Sequence, residues 1–224
     1  MLTLHSAHRV DFVVDDDLVG AWVEAVAAND SQRVRTSAVG PTTADALLSF
    51  GFTVRQELDF LVADLGGRGG SSPSTWRVGR IRPRDAVRID IAAFGDEWAL
   101  DEGAFHNSCR ATPMFRVRAV RPRRALPVAR PVGYCLTGAS EDASYLQRLA
   151  VVPAGRRRGA AATLLDDAVH WAQSLGVQRM FVNTDVDNAA ALSLYRQWGF
   201  ESVGYHLRVM ECDRATLLSR GGHR

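Results

Sequence analysis

The chain has 224 residues, 46% hydrophobic and 23% charged, with 25 acidic side chains against 27 arginines and no lysine. This is the composition of a folded globular protein; its longest apolar runs are too short to span a bilayer as helices, so disordered and helical membrane classes are excluded. A net charge of +2 does not mark the chain as a nucleic-acid binder. Cys109, Cys135 and Cys212, odd in number and without a CxxC pair, support neither a disulfide framework nor a zinc site.

The length allows one full domain and a smaller part. The opening "MLTLHSAHRVDFVVDDD" lacks the basic segment, apolar stretch and cleavage site of a secretory signal, so a cytoplasmic location is expected. From Asp15 to Leu65 the pattern reads helix, strand, helix, Gly-Phe, strand. The Gly/Ser/Pro stretch "LGGRGGSSPST" then marks a boundary. The expected organisation is a partial unit over 1–65, a linker over 66–74, a main domain over 75–214 and a tail over 215–224.

After the boundary, "TWRVGRIRP" reads as a strand and "RDAVRIDIAAFG" as a helix with Ala86, Ile89, Ile91 and Phe94 on its apolar face. "DEGAFHNSCRA" is a second short helix, with His106 and Cys109 one turn apart. Strands "MFRVRAV" and "PVGYCLTG" follow, and the basic run "RVRAVRPRR" reads as a solvated hairpin because no aromatic side chains interleave it. "ASYLQRLAVV" is a strand leading into "VVPAGRRRGAAATLL". The next helix places Leu164, Leu165, Ala168, Val169, Ala172 and Leu175 on one face and stops at Gly176. Strand "RMFVNTD", helix "NAAALSLYRQWGF" and strand "ESVGYHLRVMEC" complete an α/β pattern, a mixed sheet flanked by helices on both faces. These last elements repeat the order of the first third. Gln32-Arg33 matches Gln178-Arg179, and Gly51-Phe52 matches Gly199-Phe200. This is a degenerate internal repeat whose early copy has nothing like Arg156–Ala161.

The three arginines before Gly159 pose a chemical question. The first amides of a helix lack intrahelical acceptors and carry the positive end of the dipole. Gly159, Ala160 and Ala161 let a phosphate approach that backbone, and Arg156, Arg157 and Arg158 add charge. A solvated helix start is the alternative reading. The chain contains neither GxxxxGK[ST] nor GxGxxG after a strand, which argues against a Walker loop and a dinucleotide fingerprint.

"LAVVP" (Leu149–Pro153), then Arg156–Ala161 on the pattern [QR]xxGx[GA], then "NAAALSLYRQWGF" on N-x-x-A-x-x-L-Y-x-x-x-G-F stand in order. Over about Thr75 to Cys212 they resemble the GNAT superfamily of acyl-CoA-dependent N-acyltransferases, closest in motif to the ribosomal-protein N-terminal acetyltransferase branch. The resemblance implies a GNAT fold preceded by a partial GNAT-like half. It also implies acetyl-CoA as acyl donor, no metal, and a small-molecule or peptide amine as acceptor, with no nucleic-acid or membrane partner; a homodimer is compatible with it. Leu149, Ala150 and Val151 would offer backbone groups to the pantetheine arm, and Arg156, Arg157, Arg158, Gly159, Ala160, Ala161 and Ala162 would hold the pyrophosphate. Asn188 would contact the cofactor, and Tyr195 would protonate the departing thiolate. The branch's glutamate base falls on Asn183, which cannot take a proton. The base is then Asp185, another carboxylate such as Glu102, a histidine or a water relay, and a non-catalytic acyl-CoA-binding or regulatory module is the alternative function.

Overall fold

In the computed structural model, which describes residues 2–4, 14, 16–28, 32–66, 75–123 and 129–221, the first part runs β1 (Leu2–Leu4), α1 (Asp16–Ala27), β2 (Arg33–Val39), α2 (Pro41–Ser49) and β3 (Thr53–Asp64). Next come β4 (Trp76–Gly79), α3 (Pro83–Phe94), α4 (Glu102–Arg110), β5 (Met114–Pro122), β6 (Gly133–Ala139) and β7 (Ser144–Val151). A 3-10 turn at Pro153–Gly155 precedes α5 (Ala160–Ser174), β8 (Arg179–Asp185), α6 (Ala189–Gln197), β9 (Glu201–Asp213) and α7 (Arg214–Gly221).

These elements form two compact units interleaved along the chain: Met1–Leu61, Asn183–Ser193 and Ser202–Arg224 make the first, Val62–Val182 and Leu194–Glu201 the second. The units do not part at the Gly/Ser/Pro stretch, of which residues 67–74 lie outside the described residues.

Strand order in the first unit is β1-β2-β9-β3. β9 runs antiparallel to β2 with Glu211 opposite Arg35, and the two side chains form a nearly buried ion pair at 2.8 Å. Trp22 and Val26 of α1, Leu47 of α2, Phe52 and Met210 share one core with Leu217 of α7. Burying an aliphatic or aromatic side chain of this kind contributes about 1.5–3 kcal/mol. The sequence from 215 was expected to trail off as a tail; instead most of it is α7, because Leu217, fully buried, has this core to enter.

The repeat is visible in the elements: helix, strand, helix and strand recur as α1-β2-α2-β3 and α5-β8-α6-β9. Gly51 (φ 86) and Gly199 (φ 68) sit at matching helix ends, in the left-handed conformation that glycine adopts at least cost. Phe52 N donates to Leu47 O at 3.2 Å, and Phe200 N donates to Tyr195 O at 3.0 Å. In the early copy Leu47 therefore stands where the later copy has Tyr195.

Strand order in the second unit is β8-β7-β6-β5-β4. β7 and β8 are parallel, registered at Ser144↔Met180 and Tyr145↔Phe181, and the other neighbours are antiparallel. On one face Ala86 and Ile89 of α3 and Phe105 and Cys109 of α4 pack on Ala119, Tyr134, Leu136 and Ala150. On the other face Arg116, opposite Thr137 in the register, reaches Asp167 of α5 at 2.9 Å. The sheet of this unit is mixed and carries helices on both faces, as the sequence pattern requires. Among the described residues no helix is long and apolar enough to cross a membrane.

Candidate functional site

β7 delivers the chain to the expected phosphate turn. Its pairing with β6 shifts between Leu136↔Arg148 and Thr137↔Leu146, which leaves Gln147 as a bulge just before Leu149, Ala150 and Val151. Ala150 and Val151 are buried and Leu149 half-buried.

The turn then tightens. Gly155 is buried, with Val151 Cγ1 3.1 Å from where its Cβ would stand, so a side chain there would push on β7. Arg157 (φ 58) is the non-glycine residue at positive φ among the described residues, and Gly159 (φ 79) is the N-cap of α5. No side chain caps α5 and no acidic residue lies in its first turn. The amides of Ala160, Ala161 and Ala162 thus meet no hydrogen-bond acceptor among the described residues. Nothing lies within 4 Å of the Cβ position of Gly159, so the approach to these amides is open. Orphan donors at the positive end of a helix, with open space before them, fit a diphosphate.

The three arginines, alike in sequence, divide in the structure. Arg156 is a fastener: its Nε donates to Val151 O at 3.2 Å and its Nη2 to Ala93 O, in the last turn of α3, at 3.0 Å. Arg158 lies over Trp76, 5.6 Å from the ring centroid, and its carbonyl accepts from Trp76 Nε1 at 2.7 Å. Arg157 is exposed, its guanidinium without an ion pair among the described residues, and is the cation left for a ligand. Trp76 was not foreseen as part of the site; a lone tryptophan opening a strand gives no signal that it will anchor a turn so far along the chain.

The conformation at Gly159 yields a direct expectation. Gly159→Ala should cost about 1 kcal/mol of stability, because an L-residue resists φ 79 although no atom obstructs its Cβ. A urea unfolding midpoint at or above that of the wild type would contradict the left-handed cap.

Tyr195, in the second unit, is 5% exposed, and its ring centroid is 5.6 Å from that of Phe200. Burial first, and then the neighbouring Cys135, holds its phenol well above the ordinary tyrosine range, so it carries its proton at neutral pH. Burial likewise pushes the Cys135 thiol up to about 12, with Thr137 Oγ1 3.2 Å from its sulfur. Cys109 is buried and its thiol raised for the same reason. His106, exposed on α4, donates from Nδ1 to Glu102 O at 2.7 Å; the exposed Glu102 lies in the first turn of that helix.

Asp185 and Asn188 belong to the first unit. Asp185 Oδ2 accepts from Gln56 Nε2 at 2.6 Å and Oδ1 from Asp187 N at 2.7 Å. Its two oxygens offer about four lone-pair sites, so acceptor capacity remains. Asn188, exposed, caps α6, its Oδ1 accepting from Ala191 N at 3.1 Å. Asn183 is exposed. Among the described residues no group of three or more His, Cys, Asp or Glu could hold a metal ion.

The acetyltransferase (GNAT) family model matches residues 97–200. An uncharacterized N-acetyltransferase of Escherichia coli K12, YjgM, is 35% identical over 72 residues, which span 32% of this chain and 43% of that relative. Among solved structures, a GCN5-related N-acetyltransferase from Sphaerobacter thermophilus superposes with a TM-score of 0.58 at 16% identity, over 81% of this chain and 60% of that one. A tandem GNAT protein from the clavulanic acid biosynthesis pathway does so with 0.62 at 10% identity, over 88% of this chain and 69% of that one. The two structural likenesses, at such low identity, concern the fold, and both take in most of the chain.

Proposed function

Residues 97–200 of this chain belong to the GNAT acetyltransferase family, and on that premise we propose that the protein is an N-acetyltransferase that moves an acetyl group from acetyl-CoA to an amine. The observation that carries the reading is the uncapped start of α5, with Arg157 and Gly159 at positive φ and Arg157 unpaired before it. The amides of Ala160–Ala162 hold the diphosphate of the donor, Arg157 adds charge, and Arg156 and Arg158 keep the turn in shape. The backbone of Leu149–Val151 receives the pantetheine arm. Asn188 contributes from the start of α6.

When bound, acetyl-CoA supplies its acetyl group as an activated thioester. The amine nitrogen forms a bond to the carbonyl carbon as the carbon–sulfur bond breaks. Asp185 takes the proton that the amine must lose, and Tyr195 gives its phenolic proton to the departing sulfur. If Asp185 has this role, Asp185→Asn lowers turnover at neutral pH by at least about tenfold. The loss shrinks as rising pH deprotonates the amine in solution. Equal turnover of both proteins at pH 7 would reject Asp185 as base.

The early copy of the repeat has no sequence like Arg156–Ala161 before Asp15 and has Leu47 in place of Tyr195, so it binds no donor and serves the architecture. The acceptor is a small-molecule or peptide amine. A second reading, an acyl-CoA-binding module without turnover, rests on Asn183 at the position of the expected carboxylate. Release of free CoA thiol against polyamines, amino acids, aminoglycosides and N-terminal peptides separates the two. Turnover with any of them supports the enzyme; tight acetyl-CoA binding with none supports the module.

A further inference from the structure

A second cationic site lies in the second unit, on side chains other than those of the turn before α5. The start of α3 faces the stretch Ala129–Pro131 across a cavity of about 1000 Å³, lined by Arg80, Arg82, Arg84, Arg88, Arg121 and Arg130. Asp85 is the acidic residue among its lining side chains. Six guanidiniums against one carboxylate is a local excess that the chain's net charge of +2 conceals. Two like charges about 4 Å apart repel by about 1 kcal/mol even in the dielectric of bulk water.

The arginines have two kinds of environment. Arg88 and Arg121 brace the walls: Arg88 Nη2 donates to Pro131 O at 2.9 Å, while Arg121 donates from Nε to Ala129 O at 3.2 Å and from Nη1 to Arg80 O at 3.1 Å. The Nε of Arg88 is buried with no acceptor, since the nearest carboxylate oxygen, Asp85 Oδ1, is 3.9 Å away. Arg80, Arg82, Arg84 and Arg130 are exposed, and their guanidiniums form no hydrogen bond or ion pair among the described residues. The first turn of α3 adds to this. Arg82, its N-cap, provides no side-chain cap, Pro83 has no N–H, and the amides of Asp85 and Ala86 bond back to Arg82 O. The amide of Arg84 is left without an acceptor among the described residues.

We propose that this cavity binds a small oligophosphate, a ligand with two or more phosphate groups held by the forks of Arg84 and Arg130 and the start of α3. Guanidinium forks match phosphate oxygens two at a time, and a buried unpaired donor beside four unneutralised cations is what such an anion would satisfy. The lining has no aromatic side chain on which a nucleobase could stack, so single-stranded nucleic acid is not the occupant. A half-open cleft of this size suits a small molecule better than a duplex. The site is built from other residues than the acetyl-donor turn, since none of its lining residues falls between Leu149 and Ala162. It adjoins that turn through Val132, which follows Pro131 and whose carbonyl accepts from Val152 N at 2.9 Å.

The test is calorimetric titration of sodium tripolyphosphate into the full chain, with and without saturating acetyl-CoA, for wild type and for Arg84→Gln/Arg130→Gln. Both replaced side chains are exposed, and a thermal melt of each protein checks the fold. The expected result is saturable binding to the wild type, weakened at least about tenfold in the double variant. Acetyl-CoA affinity should stay within about twofold, and bound acetyl-CoA should leave tripolyphosphate binding in place. The proposal is overturned by no binding up to about 1 mM, or by equal binding to both proteins. It is also overturned if acetyl-CoA displaces tripolyphosphate, which would give the cavity to the donor's own phosphates. Tighter binding of duplex DNA than of tripolyphosphate, lost in the double variant, would overturn it in favour of a nucleic-acid surface. The acetyl-CoA titration in the same series reports separately on the acetyl-donor reading.

Discussion

Tyr195→Phe is expected to lower the rate of acetyl transfer by about a hundredfold while acetyl-CoA affinity stays within about twofold, the size of effect a positioned proton donor supplies. The substitution removes one oxygen and keeps the ring that packs on Phe200. The backbone hydrogen bond from Phe200 N to Tyr195 O is untouched, so α6 should end as before. Burial raises the phenol above its ordinary value near 10, so the phenol does not titrate below pH 10. The pH profile of the wild type should then show no alkaline fall from loss of the tyrosine proton between pH 8 and about 10. Turnover of Tyr195→Phe equal to that of the wild type, or an unfolded variant rescued by nothing, would assign Tyr195 to packing. Thiol release under saturating substrates, with a thermal melt as control, makes the distinction.

Asp90→Ala is expected to destabilise the protein by about 3–5 kcal/mol, the range found when one partner of a buried ion pair is removed. Asp90 on α3 is 0% exposed. Its Oδ1 accepts from Tyr134 Oη at 2.6 Å and from Arg148 Nε at 3.0 Å, and its Oδ2 from Leu100 N at 2.7 Å and from Arg148 Nη2. Arg148 also stacks on Phe94, 3.9 Å from the ring centroid, and donates to Trp98 O. Burial and the Asp90 carboxylate together hold the Tyr134 phenol far above its usual range, so it donates its hydrogen bond at every pH of interest. Deleting Asp90 leaves the Arg148 charge with a single carbonyl acceptor and two other donors, Tyr134 Oη and Leu100 N, unpaired. Arg148 directly precedes Leu149–Val151, so the loss should also loosen the strand that leads into the α5 turn. A change in urea unfolding free energy below about 1 kcal/mol would show that the network is not needed to hold α3 on the sheet.

Periodic signals were the most legible part of the sequence. The apolar face of α5, its stop at Gly176 and the Gly-Phe ends of α2 and α6 follow from spacing and cap chemistry, which act over a few residues. The repeat followed from the same signals, and aligning it on Gly51-Phe52 and Gly199-Phe200 places Leu47 against Tyr195. Long-range pairing was not legible. Nothing local tells β9 to lie beside β2, or Arg35 to meet Glu211, and so neither the interleaved units nor the burial of Leu217 could be read ahead.

Among the candidate site residues, the turn itself was legible because glycine and alanine after a strand restrict what can be built there. The division of labour within it was not. Arg156, Arg157 and Arg158 differ only in which carbonyl or ring each side chain reaches, and those partners, Ala93 and Trp76, come from distant stretches. The Asp90–Arg148 pair and the arginine-lined cavity escaped notice for the same reason: their members are scattered along the chain and meet only once α3 packs on the sheet.

A crystal structure of the protein with CoA would bear most directly on the claim that the start of α5 holds the donor's diphosphate. The account predicts phosphate oxygens at hydrogen-bond distance, about 2.7–3.2 Å, from the amides of Ala160–Ala162, with the Arg157 guanidinium beside them. A diphosphate lodged among Arg80, Arg84 and Arg130 instead, with those amides facing only solvent, would contradict it.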